Sequence, residues 1–139
     1  MKVIVSACLL GEKCKYNGES NENERVKAFL RGKDVIPVCP EVLAGLGIPR
    51  VPIEIVNGCV IDKNGRSVDG AIREAVREIL SSVDPDEIEC AILKSRSPTC
   101  GVKEVYDGSF SGKLVAGMGV LAEALAKSGI RVIDSEDIG

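Results

Sequence analysis

At 139 residues the chain has room for one core and is expected to form a single domain over 1–139, and 45% apolar content is ample for that core. A formal charge of −3 gives no electrostatic case for a nucleic-acid polymer or an anionic membrane, and Met1 runs directly into K-V-I-V-S-A, so neither a signal peptide nor a transmembrane helix is expected. The absence of histidine excludes Cys₂His₂ zinc sites and any Ser-His or Cys-His pair.

The first element, Lys2 to Ala7, is a nearly continuous apolar run, the pattern of a strand buried on both faces. A turn-rich loop, Leu10 to Glu19, leads to a helix predicted over Glu22 to Arg31, capped by Ser20 or Asn21 and ended by Gly32. Asp34 to Val38 reads as a second strand, with Pro37 pointing to an edge position. A short helix over Glu41 to Gly45 follows Cys39-Pro40, since proline suits a first helical position. Asn57-Gly58 then marks a hairpin between I-E-I-V and C-V-I-D.

Asp69 is the predicted cap of a long helix to about Ser82, with Ile72, Val76, Ile79 and Leu80 as its buried stripe. Glu89 to Leu93 form a third core strand. Ser95 to Gly117 is a long loop with its own hairpin around Tyr106 to Phe110, and loops of that length in a small domain usually carry function. A helix over Met118 to Lys127 and a strand over Ile130 to Ile133 complete the chain. The alternation predicts an α/β fold: a mainly parallel, Rossmann-like sheet with helices on both faces and a β-hairpin insertion.

Three of the six cysteines follow predicted strands: Cys8 after K-V-I-V-S-A, Cys39 after D-V-I-P-V, and Cys100 at the end of A-I-L-K-S-R-S-P-T-C-G. Parallel strands bring their carboxyl ends to one edge, where open α/β folds place ligands. The trio reads either as a thiolate site or as small buried hydrophobes. Cys90 and Cys59, each beside an apolar run, read as structural filling. Cys14 lies on a loop six residues past Cys8 and reads as a fourth ligand, a lid thiol or neither. No Cys-x-x-Cys pair occurs, which disfavours a zinc ribbon or a thioredoxin-like site. Disulfide frameworks belong to small secreted domains, so the thiols are expected to be reduced and the protein cytoplasmic.

Three thiolates suit a cuboidal iron–sulfur cluster with one iron left open, able to act as a Lewis acid towards a soft atom such as sulfur. Glu41, two residues past Cys39, is either a proton-moving carboxylate or a plain helix-start acid. The Ser97 hydroxyl either enters the site or bonds the backbone two residues on. Lys94 and Arg96 either balance an anionic cluster or are solvated. Ser6, Gly11, Tyr16, Asn17 and Gly18 are further candidates for lining the pocket.

Five ordered motifs span nearly the whole chain: S-A-C-L-L-G at Ser6–Gly11, K-Y-N-G at Lys15–Gly18, V-C-P-E at Val38–Glu41, L-K-S-R-S-P-T-C-G at Leu93–Gly101 and Y-D-G-S-F-S-G at Tyr106–Gly112. Together they resemble the thiouracil desulfidase family. The resemblance implies a [4Fe-4S] cluster held by Cys8, Cys39 and Cys100, whose open iron accepts the sulfur of a small thiolated heterocycle such as 2-thiouracil, without net redox chemistry. Glu41 and Ser97 take the family's acid/base roles. The chain departs from the more usual R-Y-D-G and S-P-S-C-G at Lys15, Asn17 and Thr99, and Cys14 is not a fixed position of the pattern. A small thiolated substrate, no nucleic-acid polymer, no membrane and a monomer or weak homodimer are the expected partners. A sulfide or iron–sulfur carrier and a structural zinc-thiolate protein are the alternatives.

Overall fold

The computed structural model describes residues 1–138. Its elements are β1 (Lys2–Ser6), α1 (Glu24–Phe29), β2 (Asp34–Val38), α2 (Pro40–Leu43), β3 (Ile53–Val56), β4 (Cys59–Asp62), α3 (Asp69–Ser81), β5 (Ile88–Leu93), β6 (Glu104–Tyr106), β7 (Leu114–Ala116), α4 (Val120–Lys127) and β8 (Val132–Asp134). Short 3₁₀ turns occupy Ala7–Leu10, Pro85–Glu87 and Ser135–Asp137.

Strand β1 divides the core. Its side chains alternate across the sheet, so Val3 and Val5 pack with Leu9, Val26, Leu30 and Ile92 on one side. Ile4 packs with Ile72, Val76, Leu121 and Leu125 on the other. Helix α1 therefore covers one face and α3 with α4 the opposite one. The sheet order is β2-β1-β5-β8, and every pairing in it is parallel. Pro37 lies on β2, an edge strand, where its missing N–H is tolerated. The chain leaves β1 for β2 on one side and later returns to β5 on the other. The carboxyl ends of β1 and β5 thus form a topological switch point, the crevice where open sheets hold ligands.

Two antiparallel hairpins, β3-β4 and β6-β7, stand outside this sheet. The Asn57-Gly58 turn has positive φ at both residues, the geometry of a tight two-residue hairpin. The second hairpin pairs Glu104–Tyr106 with Leu114–Ala116, placing its tip at 107–113, later than the sequence suggested.

Helix boundaries shift where tertiary bonds take over. The first helix is shorter than predicted and is capped by Asn23, whose side chain accepts from Arg25 N and Val26 N. The segment before it is held by Asn21 N and Asn23 N donating to the Cys8 and Leu9 carbonyls, which removes those residues from a helix. Val68, not Asp69, is the N-cap of α3, and the Asp69 carboxylate instead accepts from Val60 N and Arg73 Nε. Ile130 donates to the Leu125 carbonyl in finishing α4, so β8 starts two residues later than expected.

Candidate functional site

The three strand-end cysteines converge. Cys8 sits in the 3₁₀ turn after β1, Cys39 is the N-cap of α2 directly after β2, and Cys100 lies in the loop between β5 and β6. All three border one cavity of about 570 Å³, together with Glu41 and Ser97. Ser6 ties the two central strand ends together: its Oγ accepts from Lys94 N at 2.9 Å. The Ser6 hydroxyl also lies close to the Cys100 thiol.

Each cysteine is held by a different local device. Asn21 Nδ2 donates to Cys8 Sγ at 3.4 Å. Burial pushes the Cys8 thiol up, the Asn21 contact opposes this, nearby Cys39 adds to it, and the Lys94 ammonium again opposes it. Burial pushes Cys100 up to about 12 against the Ser6 and Thr99 hydroxyls. The loop carrying Cys100 is bolted to the start of α4: Gly119, Val120 and Leu121 donate their N–H groups to the Gly101, Pro98 and Thr99 carbonyls. The open N-terminal amides of a helix are thereby satisfied, and the loop gains a rigid base.

Glu41 is held at both oxygens. Arg50 Nε donates to Oε1 at 3.2 Å and Thr99 Oγ1 to Oε2 at 3.2 Å. The Arg50 side chain is only 5% exposed, and its remaining nitrogens donate to the Gly47 and Cys14 carbonyls. Ser97 Oγ accepts from Thr99 N at 3.1 Å and from Cys100 N at 3.0 Å. With both lone pairs engaged, its one proton is directed at Thr99 Oγ1, 3.0 Å away. The hydroxyl–hydroxyl–carboxylate series Ser97, Thr99, Glu41 is therefore continuous.

Cys14 also borders the cavity. Its thiol is buried beside that of Cys39, and burial with the nearness of Cys39 and Cys8 pushes it up to about 12. Cys90 packs in the core beside Val3 and Val5, as filling should, whereas Cys59 is exposed on β4 and fills nothing. Ser6 and Tyr16 border the cavity. Gly11, Asn17 and Gly18 are not among its lining residues, and the Asn17 side chain bonds Glu19 instead. Lys94 is half-buried at the site, its Nζ donating to Ser95. Arg96 is exposed and pairs with Glu104 at 3.3 Å.

Sequence reasoning missed Arg50, Thr99 and Glu54. Glu54 is buried, borders the cavity, and accepts from Gly108 N and Phe110 N. Among the described residues no three Cys, Asp or Glu side chains are disposed to hold a single metal ion. The thiols line a wider space instead.

Comparison with known proteins converges on one family. The 2-thiouracil desulfurase family model matches residues 3–137. A Bacillus subtilis (strain 168) protein, YbbK, itself uncharacterized, is 33% identical over 146 residues, covering 98% of this chain and 97% of its own. A solved structure of the [4Fe-4S]-dependent thiouracil desulfidase TudS superposes with a TM-score of 0.91 at 33% identity, covering 99% of this chain and 92% of that one.

Proposed function

The chain belongs to the 2-thiouracil desulfurase family and is an enzyme, and we propose that it hydrolyses the carbon–sulfur bond of a small thiolated heterocycle such as 2-thiouracil, releasing the oxo compound and sulfide. The observation that carries this reading is the shared cavity of Cys8, Cys39, Cys100, Glu41 and Ser97.

The donor set fits an iron–sulfur cluster. It offers soft thiols without imidazole, and Cys8 receives a hydrogen bond at sulfur from Asn21, the kind of contact that tunes such centres. We assign Cys8, Cys39 and Cys100 as the ligands because each follows a sheet strand directly or through a braced loop, whereas Cys14 rides the segment between the first 3₁₀ turn and α1. A [4Fe-4S] cluster bound there supplies an iron without a protein ligand, a soft Lewis acid for the substrate's sulfur.

The chain's own groups supply the proton chemistry. Glu41 takes a proton from the water that attacks the carbon bearing sulfur. Arg50 and Thr99 fix that carboxylate, and the Ser97–Thr99 hydroxyl pair forms a relay that ends on Glu41. Lys94 balances negative charge gathered near Cys8. The reaction is closed: a C=S group and water give C=O and hydrogen sulfide, with no electrons transferred. All six cysteines are free thiols, the state that a reducing compartment maintains, and we place the enzyme in the cytoplasm. No helix among the described residues is long and apolar enough to cross a membrane.

The test is anaerobic reconstitution with iron and sulfide, followed by visible spectroscopy and an assay of sulfide released from 2-thiouracil. The expected result is a brown protein that forms uracil and sulfide stoichiometrically. Replacing Cys8, Cys39 or Cys100 by Ser abolishes the visible absorption, while Cys14→Ser retains it. A cluster-bearing protein that releases no sulfide from thiolated bases or nucleosides points to a carrier. A colourless zinc-loaded protein under the same conditions sinks the proposal.

A further inference from the structure

The proton chemistry above leaves unused a buried carboxylate that borders the cavity. Glu54, on β3, is 8% exposed, and no Lys or Arg nitrogen lies in ion-pair range of it among the described residues. Its Oε1 accepts both Gly108 N at 3.0 Å and Phe110 N at 3.1 Å. Its Oε2 takes part in no hydrogen bond among those residues. No buried side-chain oxygen is left without a partner in them, so Oε2 reaches open space. The cavity is the open space that Glu54 borders. A buried carboxylate with one oxygen bound to the backbone and the other open to the cavity is positioned to accept a ligand N–H.

The same carboxylate fixes an aromatic side chain. Phe110 stands at φ 56, a left-handed conformation that bulky residues rarely adopt. Strained backbone of this kind persists where its surroundings over-determine it, and it gathers at ligand clamps. Here the Glu54 bonds hold the turn, and Gly108 admits no side chain because a Cβ would lie 2.7 Å from the Ile55 carbonyl oxygen. Phe110 borders the cavity, as do Tyr16 and Tyr106. The chain has only two Tyr and two Phe and no Trp, so three of its four aromatic side chains surround one cavity. Aromatic faces set around a cavity suit a flat ring.

We infer that Glu54 is a substrate-recognition residue: its Oε2 accepts an N–H of the heterocycle while its Oε1 holds Phe110 against the ring face. The substrate class is thereby narrowed to planar rings in which an N–H adjoins the thiocarbonyl carbon, that is, cyclic thioamides and thioureas. The thiocarbonyl part of this inference rests on the desulfidase reading. The N–H and ring recognition rests on Glu54 and Phe110 alone.

Calorimetric titration of the cluster-loaded protein, kept free of oxygen, tests it with three rings. The first is 2-thiouracil, and the second is 1,3-dimethyl-2-thiouracil, which lacks any N–H. The third is 5,6-dimethyl-2-thiouracil, which has the same added bulk and keeps both N–H groups. The wild-type protein is expected to bind the two N–H rings at least about tenfold more tightly than the N-methylated one, the scale of a hydrogen bond to a charged group. Glu54→Gln keeps a carbonyl for the Gly108 and Phe110 amides but offers the ring an NH₂, and the preference should fall to within about threefold. Phe110→Leu should weaken all three rings alike.

Equal binding of all three rings by the wild type, no binding of any, or a full preference retained in a folded Glu54→Gln protein overturns the inference. Should that variant fail to fold, the wild-type ranking of the three rings still decides. Sulfide release is measured separately. A protein that ranks the rings as expected yet releases no sulfide sinks the desulfidase reading and leaves this one standing.

Discussion

Thr99 Oγ1 donates to Glu41 Oε2 across 3.2 Å, although the two residues are 58 positions apart. The threonine hydroxyl is fully buried and lies between Ser97 Oγ and the carboxylate. Its place in the relay separates the hydroxyl from the shape of the side chain. Thr99→Ser should keep near wild-type turnover, while Thr99→Val, of similar shape, should lower kcat by roughly tenfold to a hundredfold, a part of what general acid–base catalysis supplies. Initial rates of sulfide release would show the difference, with the Ser variant as the control that keeps the hydroxyl. A Val variant with an unchanged rate would remove Thr99 from the relay.

Arg50 joins three segments through one guanidinium: the Glu41 carboxylate, the Gly47 carbonyl and the Cys14 carbonyl. Its own N–H donates to the Tyr16 carbonyl at 2.7 Å. Removing one partner of a buried pair leaves the other charge uncompensated, so Arg50→Met should destabilise the protein by about 3 kcal/mol. Arg50→Lys should recover only part of this, since an ammonium cannot serve the three acceptors with a planar fork. Urea unfolding measures the loss. Limited proteolysis should cut between Gly11 and Glu19 faster in the Met variant, and equal cleavage would show that Arg50 does not hold that loop.

The contrast between Arg50 and the cysteines shows where sequence reading stops. Cys8, Cys39 and Cys100 announce themselves because each comes after an apolar strand run, and parallel strands end on one edge. The Asn57-Gly58 turn is equally local. Arg50 carries no such mark: its neighbours Pro49, Val51 and Pro52 signal only extended chain, and its partners lie 9 and 36 positions away. Glu54 sits within an alternating strand, where its burial depends on a hairpin tip that reaches it from residues 108–110. Thr99 read as a conservative variation of a motif, and only the fold supplies the carboxylate on its far side. The start of α1 escapes a local reading for a related reason, since the Cys8 and Leu9 carbonyls recruit Asn21 and Asn23, which local capping preferences do not reveal.

Gly119 is the contact on which the placement of Cys100 depends. A Cβ there would stand 2.4 Å from the Thr99 carbonyl carbon and 2.7 Å from the Cys100 nitrogen, both backbone atoms that cannot swing aside. Its φ of −69 is open to any residue, so the constraint is steric and not conformational. Gly119→Ala should therefore cost about 3 kcal/mol, the upper range for overpacking, and should also loosen Cys100. Gly129→Ala is a control, with nothing within 4 Å of its Cβ but a φ of 86, so its cost is conformational and remote from the site. Both variants should lose stability in thermal melts, but only Gly119→Ala should lose its visible cluster absorption faster on exposure to chelator. Equal cluster lifetimes would show that the packing of α4 on the loop does not govern the site.

Buried thiols make the cluster-free protein sensitive to alkali. Burial pushes Cys100 and Cys14 up to about 12 from the ordinary 9.0. Unfolded thiols release their protons near the ordinary value while the folded ones keep theirs, so the folded state binds more protons over that interval. Stability then falls with rising pH: it is complete below 9.0 and is lost progressively as pH approaches 12. Urea unfolding of the cluster-free protein at about pH 8 and about pH 10.5 should show a clear decrease, made shallower by Cys100→Ala, which removes one of the titrating groups. The Cys100 proton must leave when its thiolate binds metal, so reconstitution in weak buffer should acidify the solution and proceed more completely at the higher end of the neutral range. A stability that stays level between those two pH values, or loading that releases no protons, would show that these thiols are not held neutral by burial.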